Sequence, residues 1–392
     1  MTATAEPQTT ATILDAVRDA VPTLRRNGVE SEARRWVLDE NLELLEQAQV
    51  FRLGTPARYG GLDLPLADKA KVLTEIGRGC PSTAWVSMVY VSNSWLATLF
   101  PEQAQEEVFA NPDARISGGF TPSGHLTPVE GGYELTGAWR FNSGAKGAHW
   151  NITAAFLTLP DGTETEGVAI VPMSEFSIGD DWDTTSAAGT GSNTSRVEGV
   201  FVPAHRVATI EDAVLNSTPG REPKPGRHYS LFPLVMTECA AACIGMARGA
   251  LELFLERLPG RGITYTDHTD QSQHLLTQVQ VATAANKIAA AEALAGTWWP
   301  ALQAHAEAQD LPTEAESANL RGQTAFAIDL AKEAVRILFE ASGASVIGRA
   351  APIQRFHRDI QGFAQHALLA LNTNLEVQGR VLVGLDAATP YL

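Results

Sequence analysis

Two short stretches of the 392-residue chain pair hydroxyl side chains with glycine: Asn142-Ser143-Gly144, which closes the run GAWRFNSG, and Gly189-Thr190-Gly191-Ser192. Glycine leaves the backbone N–H unhindered, so Thr190 and Ser192 with their amides can offer donors to a phosphate or the polar rim of a cofactor. A plain loop between strands explains the same residues equally well. Arg261, in RLPGRGITY, carries the forked guanidinium that suits phosphate geometry and reads as readily as a solvated loop charge. His366, between QGFAQ and ALLAL, is by default a packed core or interface histidine. No Gly-x-Gly-x-x-Gly follows a strand and opens a helix, and GTGSNT lacks the third glycine, so a nicotinamide-dinucleotide site is not supported and electrons must arrive by another carrier.

The three cysteines, Cys80, Cys239 and Cys243, have neither disulfide-framework nor zinc-ligand spacing, and no metal site is expected. Cys239 and Cys243 stand one helical turn apart in Ala-rich surroundings and read as core. A reducing, cytoplasmic setting fits them. With 29 basic and 45 acidic residues the net charge is −16, which argues against nucleic acid or an anionic membrane as partner. MTATAEPQTTATILDAVRDAV shows no basic region before an apolar run, so no leader is expected there. LFPLVMTECAAACIGMARGAL is interrupted by Glu238 and Arg248 and reads as a buried helix rather than a membrane span.

The elements that must position these groups follow from texture. Residues 10 to about 110 show helical apolar spacing (ILDAVRDAVPTL, WVLDENLELLEQA, ADKAKVLTEI), interrupted by TPARYGGLDLP. From about 115 to 210 short alternating runs take over: GYELTGAWRFNSG, WNITAAFLTL, GVAIVPM and SRVEGVFVP. STPGREPKPGR, 217–227, reads as a connector, and four long helical patterns follow at about 230–258, 272–306, 313–342 and 353–385, which with short links make an antiparallel bundle. The expected fold class is α+β, with an N-terminal helical domain (1–114), a middle β-barrel or sandwich domain (115–216) and a C-terminal four-helix bundle (217–392).

In this order, YGG at 59–61, CPSTAWV at 80–86, GAWRFNSGAKGAHW at 137–150, GTGSNTSRVEGVFVP at 189–203 and PIQRFHRD at 352–359 followed by His366 resemble the acyl-CoA dehydrogenase superfamily, and more narrowly its group D flavin monooxygenases. The resemblance covers nearly the whole chain. It implies the oxygenase half of a two-component system that takes reduced flavin, FADH2 or FMNH2, from a separate NAD(P)H:flavin reductase and uses O2 to hydroxylate a small aromatic or heteroaromatic substrate, with an indole-type compound among the candidates. A homotetramer is carried over with it.

Residue by residue, the resemblance places Trp139, Ser143, Thr190, Ser192, Arg261 and Ser345 around the flavin. Ser143 would accept from flavin N5–H and so retard loss of activated oxygen as hydrogen peroxide. Trp85, Asn93 and His366 fall to the substrate side, with Ser143, Asn93 and His366 as catalytic candidates. His366 would handle a substrate proton or hydrogen-bond the reacting heteroatom. Phenol-hydroxylating relatives carry a histidine where Asn93 stands; Asn cannot shift a proton near neutral pH, which speaks against a phenol-type substrate. The dehydrogenases' glutamate base has no counterpart: eight residues after Asp359 comes Ala367, and the alternative position aligns near Val235, with Glu238 offset. The remaining readings are a dehydrogenase with a relocated base, an N- or S-oxygenating relative and a non-catalytic binding protein. At 3.6 residues per turn His357 points away from His366, whereas Asp359 shares its face two turns off and is expected to pair with Arg355 and Arg358.

Overall fold

The computed structural model describes residues 9–222, 224–389 and 391–392. The first eight residues, where the segment expected to lack a leader begins, and Pro223 of the connector lie outside the described residues. Five helices open the chain: α1 Thr10–Arg34, α2 Asp39–Gln47, α3 Leu66–Gly79, α4 Pro81–Ala97 and α5 Glu102–Val108. Eight strands follow, β1 Ile116–Gly119, β2 Gly124–Val129, β3 Gly132–Trp139, β4 Trp150–Thr158, β5 Glu164–Pro172, β6 Ser177–Ile178, β7 Ser195–Pro203 and β8 Val207–Thr209. The short α6, Ile210–Val214, leads to α7 Leu231–Arg257, α8 Leu275–Ala308, α9 Glu314–Ala341, α10 Pro352–Phe363 and α11 Leu371–Leu382.

The strands form one sheet in the order β6-β7-β3-β2-β4-β5-β8, with β1 parallel to β4. Along β3 the inward side chains Leu135 and Trp139 pack with Leu126, Ala155, Leu157 and Val197 as a separate small core, the period-2 burial expected of a half-exposed sheet. The first and last helical sections instead share one core: α3, α4, α9 and α10 pack around α7, whose residues from Pro233 to Ala250 are almost all buried. Lys69 of α3 and Glu238 of α7 meet inside it at 2.8 Å, and Ser92 of α4 donates to the same carboxylate. Cys239 and Cys243 are buried in that core.

The expected fourth bundle helix is broken. α10 stops at Phe363 and α11 starts at Leu371, with His366 in the turn between them. Two features stop the helix. The His366 carbonyl accepts from the amides of Leu369 and Ala370, and the fully buried Asn374 donates Nδ2 to the carbonyls of Leu368 and Ala370 while accepting from Arg321 Nε. The face relations expected between Asp359, His357 and His366 on a continuous helix therefore do not hold.

Candidate active site

Four segments meet around Trp85. α4 supplies Ser82 and Trp85; the turn after β3 supplies Ser143; the loop 187–194 before β7 supplies Thr190 and Ser192; the end of α10 and its turn supply Phe363 and His366. The turn carrying Ser143 is fixed by Tyr90, whose hydroxyl donates to the Gly144 carbonyl at 2.5 Å. Gly144 has φ +80°, and a Cβ there would lie 2.9 Å from the Tyr90 ring, so glycine is required on both counts. Gly191, φ +56°, lets the second loop lie against Trp36, where a Cβ would come within 2.7 Å of the indole.

Half-buried Ser143 accepts from Trp85 Nε1 at 3.2 Å and shares a 2.7 Å hydrogen bond with Ser192 Oγ; Ser192 in turn lies 2.6 Å from Thr190 Oγ1. The loop is held from behind by Asp359, which accepts from the Ala187 amide at 2.7 Å and from Ser82 Oγ at 3.2 Å. Burial pushes the Asp359 carboxyl up to about 6, against the lowering effect of the Ala187 amide. The expected pairing of Asp359 with Arg355 and Arg358 is corrected here. Arg358 turns to Glu32 at 2.7 Å, and Arg355 packs beside Gly28 of α1 and reaches only the Arg349 carbonyl.

Trp85 is 5% exposed and stacks on Phe363, rings 4.2 Å apart and 6° from parallel, with the His366 ring 5.8 Å away. His366 is open to solvent, yet the protein packed around its ring lowers its pKa from the usual 6.5. Its Nδ1 accepts from the Leu368 amide at 3.3 Å, which assigns the proton of the neutral ring to Nε2, the nitrogen left to donate.

The other expected contacts fall elsewhere. Trp139 is 1% exposed, donating to the Ala154 carbonyl at 2.7 Å inside the sheet core; it has no face to offer a cofactor and supports the turn instead. Asn93 is 2% exposed and its amide donates to the Ile116 carbonyl at 3.0 Å, tying α4 to β1. Glu238 is committed to Lys69 and Ser92 and is no displaced base. Arg261 and Ser345 do come together: Arg261 Nη2 and Arg257 Nη2 each donate to Ser345 Oγ at 3.1 Å, and Arg261 Nη2 also to the Ser342 carbonyl at 2.7 Å. Burial and the neighbouring Arg261 charge lower the Arg257 pKa. This pair of cations is held by Ser342 and Ser345, in the link between α9 and α10, whereas Ser143, Thr190 and Ser192 are joined in a hydrogen-bonded group of their own. Sequence reasoning missed Arg257, Ser82, Phe363 and Trp182, whose Nε1 holds the Ala187 carbonyl at 3.1 Å; only Arg257, one turn before Arg261, left a signal.

Residues 238–370 match the acyl-CoA dehydrogenase C-terminal domain. Over 97% of its length and 98% of the relative's, the chain is 31% identical to a pigment production hydroxylase of a Rhodococcus species. It is 32% identical to HsaA of Rhodococcus jostii, the oxygenase subunit of a flavin-dependent monooxygenase, over 90% of this chain and 93% of HsaA. The chain belongs to the group D flavin-dependent monooxygenases. The structure of XiaF from a Streptomyces species, in complex with FADH2 and glycerol, superposes with a TM-score of 0.91 at 29% identity over 98% of both chains. This monooxygenase thus has the acyl-CoA dehydrogenase-like fold expected of it, and it works with reduced flavin and O2.

The residues present fit a flavin. Ser143 keeps an acceptor position open at a half-buried turn, and Arg257 and Arg261 present guanidinium donors beside Ser345 with no carboxylate within ion-pair distance of either among the described residues, as a phosphate site needs.

Proposed function

We propose that this chain is the oxygenase component that hydroxylates a small aromatic or heteroaromatic compound, with its reduced flavin delivered by a separate reductase, in the reducing interior of the cell. Bound reduced flavin supplies the electrons that activate O2. Ser143 accepts the hydrogen bond of the flavin N5–H and keeps that proton in place. Arg261, with Arg257 and Ser345, takes the flavin phosphate. In a homotetramer these residues serve the flavin of a neighbouring copy, the arrangement that the family resemblance implies for Arg261.

His366 Nε2–H donates to the reacting oxygen or heteroatom of the substrate, over the apolar floor made by Trp85 and Phe363. The carrying observation is that Ser143 accepts from Trp85 Nε1 while the ring of His366, whose Nε2–H is left to donate, lies 5.8 Å from the same indole. A substrate positioned between them excludes water from both.

The test combines the purified chain with a flavin reductase, NADH and FAD or FMN, and screens phenols, indoles and sulfur heterocycles for oxygenated product. The chain without reductase should leave NADH unoxidised. Robust NADH oxidation by the pure chain with free flavin, or bleaching of bound flavin by an acyl-CoA, would overturn the proposal.

A further inference from the structure

The hydroxyl groups beside Ser143 form a chain whose direction can be worked out. A hydroxyl has one proton to donate, an indole N–H only donates, and a carbonyl only accepts. Thr190 Oγ1 donates to the Ala187 carbonyl at 2.8 Å, so its proton is committed there. Across the 2.6 Å contact Ser192 must then donate to Thr190, and across the 2.7 Å contact Ser143 must donate to Ser192. Ser143 also accepts from Trp85 Nε1. Its proton and one lone pair are therefore engaged, and what remains is a lone pair.

We propose that Thr190 and Ser192 are positioning residues that hold Ser143 as a hydrogen-bond acceptor, through a one-way hydroxyl chain that ends on the Ala187 carbonyl. The inference rests on the reading of Ser143 as the partner of flavin N5. A carbonyl cannot take the proton over, so the chain offers the N5 proton no exit. The end point is fixed: Ala187 O also accepts from Trp182 Nε1 at 3.1 Å and from the Thr190 amide at 3.0 Å, and the Ala187 amide is held by Asp359. The opposite polarity would require Thr190 to release this carbonyl, and it would turn the Ser143 proton toward the flavin. A flavin bearing a proton on N5 favours this polarity, and an oxidised flavin, whose N5 only accepts, favours the reverse. The chain thereby makes the site select reduced over oxidised flavin.

The experiment measures dissociation constants of reduced and oxidised flavin anaerobically by quenching of protein tryptophan fluorescence, with the hydrogen peroxide released per O2 consumed as a second readout. Thr190→Val removes the hydroxyl while keeping the shape, and should lower the reduced-over-oxidised affinity ratio by about tenfold and raise the peroxide share, the expected scale for one redirected hydrogen bond. Thr190→Ser should keep the parental ratio. Ser192→Ala, which cuts the chain one link earlier, should reproduce the shift if the valine variant fails to fold. A parental ratio in a folded Thr190→Val or Ser192→Ala protein, or a Thr190→Ser protein that behaves like the valine variant, would overturn the inference. If Ser143→Ala itself changes neither readout, the reading of Ser143 fails; if it changes both while Thr190→Val changes neither, only the directed chain fails.

Discussion

His366 acts from a turn, and the Leu368 amide on Nδ1 decides what its ring can do. The neutral ring donates through Nε2; a second proton would set Nδ1–H against the Leu368 N–H. Since the pKa is lowered from 6.5, the neutral form is present at neutral pH, and turnover should decline as pH falls below 6.5 through that lowered value. His366→Asn, which keeps an N–H donor, should retain most turnover and lose this acid limb. His366→Ala should reduce turnover per folded site by roughly ten- to a hundredfold, the scale of one lost hydrogen bond. A loss of ~10²–10⁴ with no recovery in the asparagine variant would instead mark proton transfer. Melting temperature measured alongside separates both from a packing role. For Ser143→Ala the expected outcome is an intact fold and a ten- to hundredfold faster loss of oxygen as hydrogen peroxide, roughly 1–3 kcal/mol, read by peroxide assay against product.

The loop 187–194 owes its place to α10 through Asp359, a link the sequence conceals. Arg355 and Arg358 flank Asp359 and invite an ion-pair reading, but both guanidiniums are drawn toward α1, and the carboxylate hydrogen-bonds a backbone amide and Ser82 while the Arg358 charge acts on it from beyond ion-pair distance. Its folded pKa of about 6 lies above the unfolded value near 3.8, so the folded state binds the proton more tightly. This burial therefore destabilises the protein above pH 6, and the penalty fades as pH falls from 6 toward 3.8. Asp359→Asn should be more thermostable than the parent at pH 8, with the difference shrinking below pH 6 and closing toward pH 4. Asp359→Ala leaves the Ala187 amide and Ser82 without a partner, should cost about 1–3 kcal/mol, and should weaken flavin binding in a fluorescence titration.

Other elements were plainer in the sequence. The alternation in GYELTGAW and WNITAAFLT marks β3 and β4, and the glycine–hydroxyl pairs mark both loops of the site. The short strands β1, β6 and β8, of 4, 2 and 3 residues, are too brief to show a period. The break at His366 was hidden because FAQHALLAL contains good helix formers and neither Pro nor Gly. It is imposed by Asn374 and Arg321 from neighbouring turns.

At the scale of the molecule, the texture boundary at residue 216 does not divide the packing, because α3 and α4 enclose α7 from one side and α9 from the other. Lys69 and Glu238, 2% and 0% exposed, lock the two sections together. Lys69→Met alone strands a buried carboxylate and should cost about 3–5 kcal/mol, whereas Lys69→Met with Glu238→Leu should recover most of that, both read from urea unfolding. Circular dichroism and tryptophan fluorescence should report one coincident transition for the helices. α7 is long and apolar enough to cross a membrane by length and composition, yet 83% of its most apolar window is buried by these neighbours. On the ribosome that cover arrives late: α3 and α4 precede α7, but α9 is complete only at Ala341, roughly eighty residues after Arg257. At ~5–20 residues per second this leaves the most apolar helix half-dressed for about 4–16 s in every round of synthesis, a window in which chaperones and other nascent chains compete for the face that α9 will take.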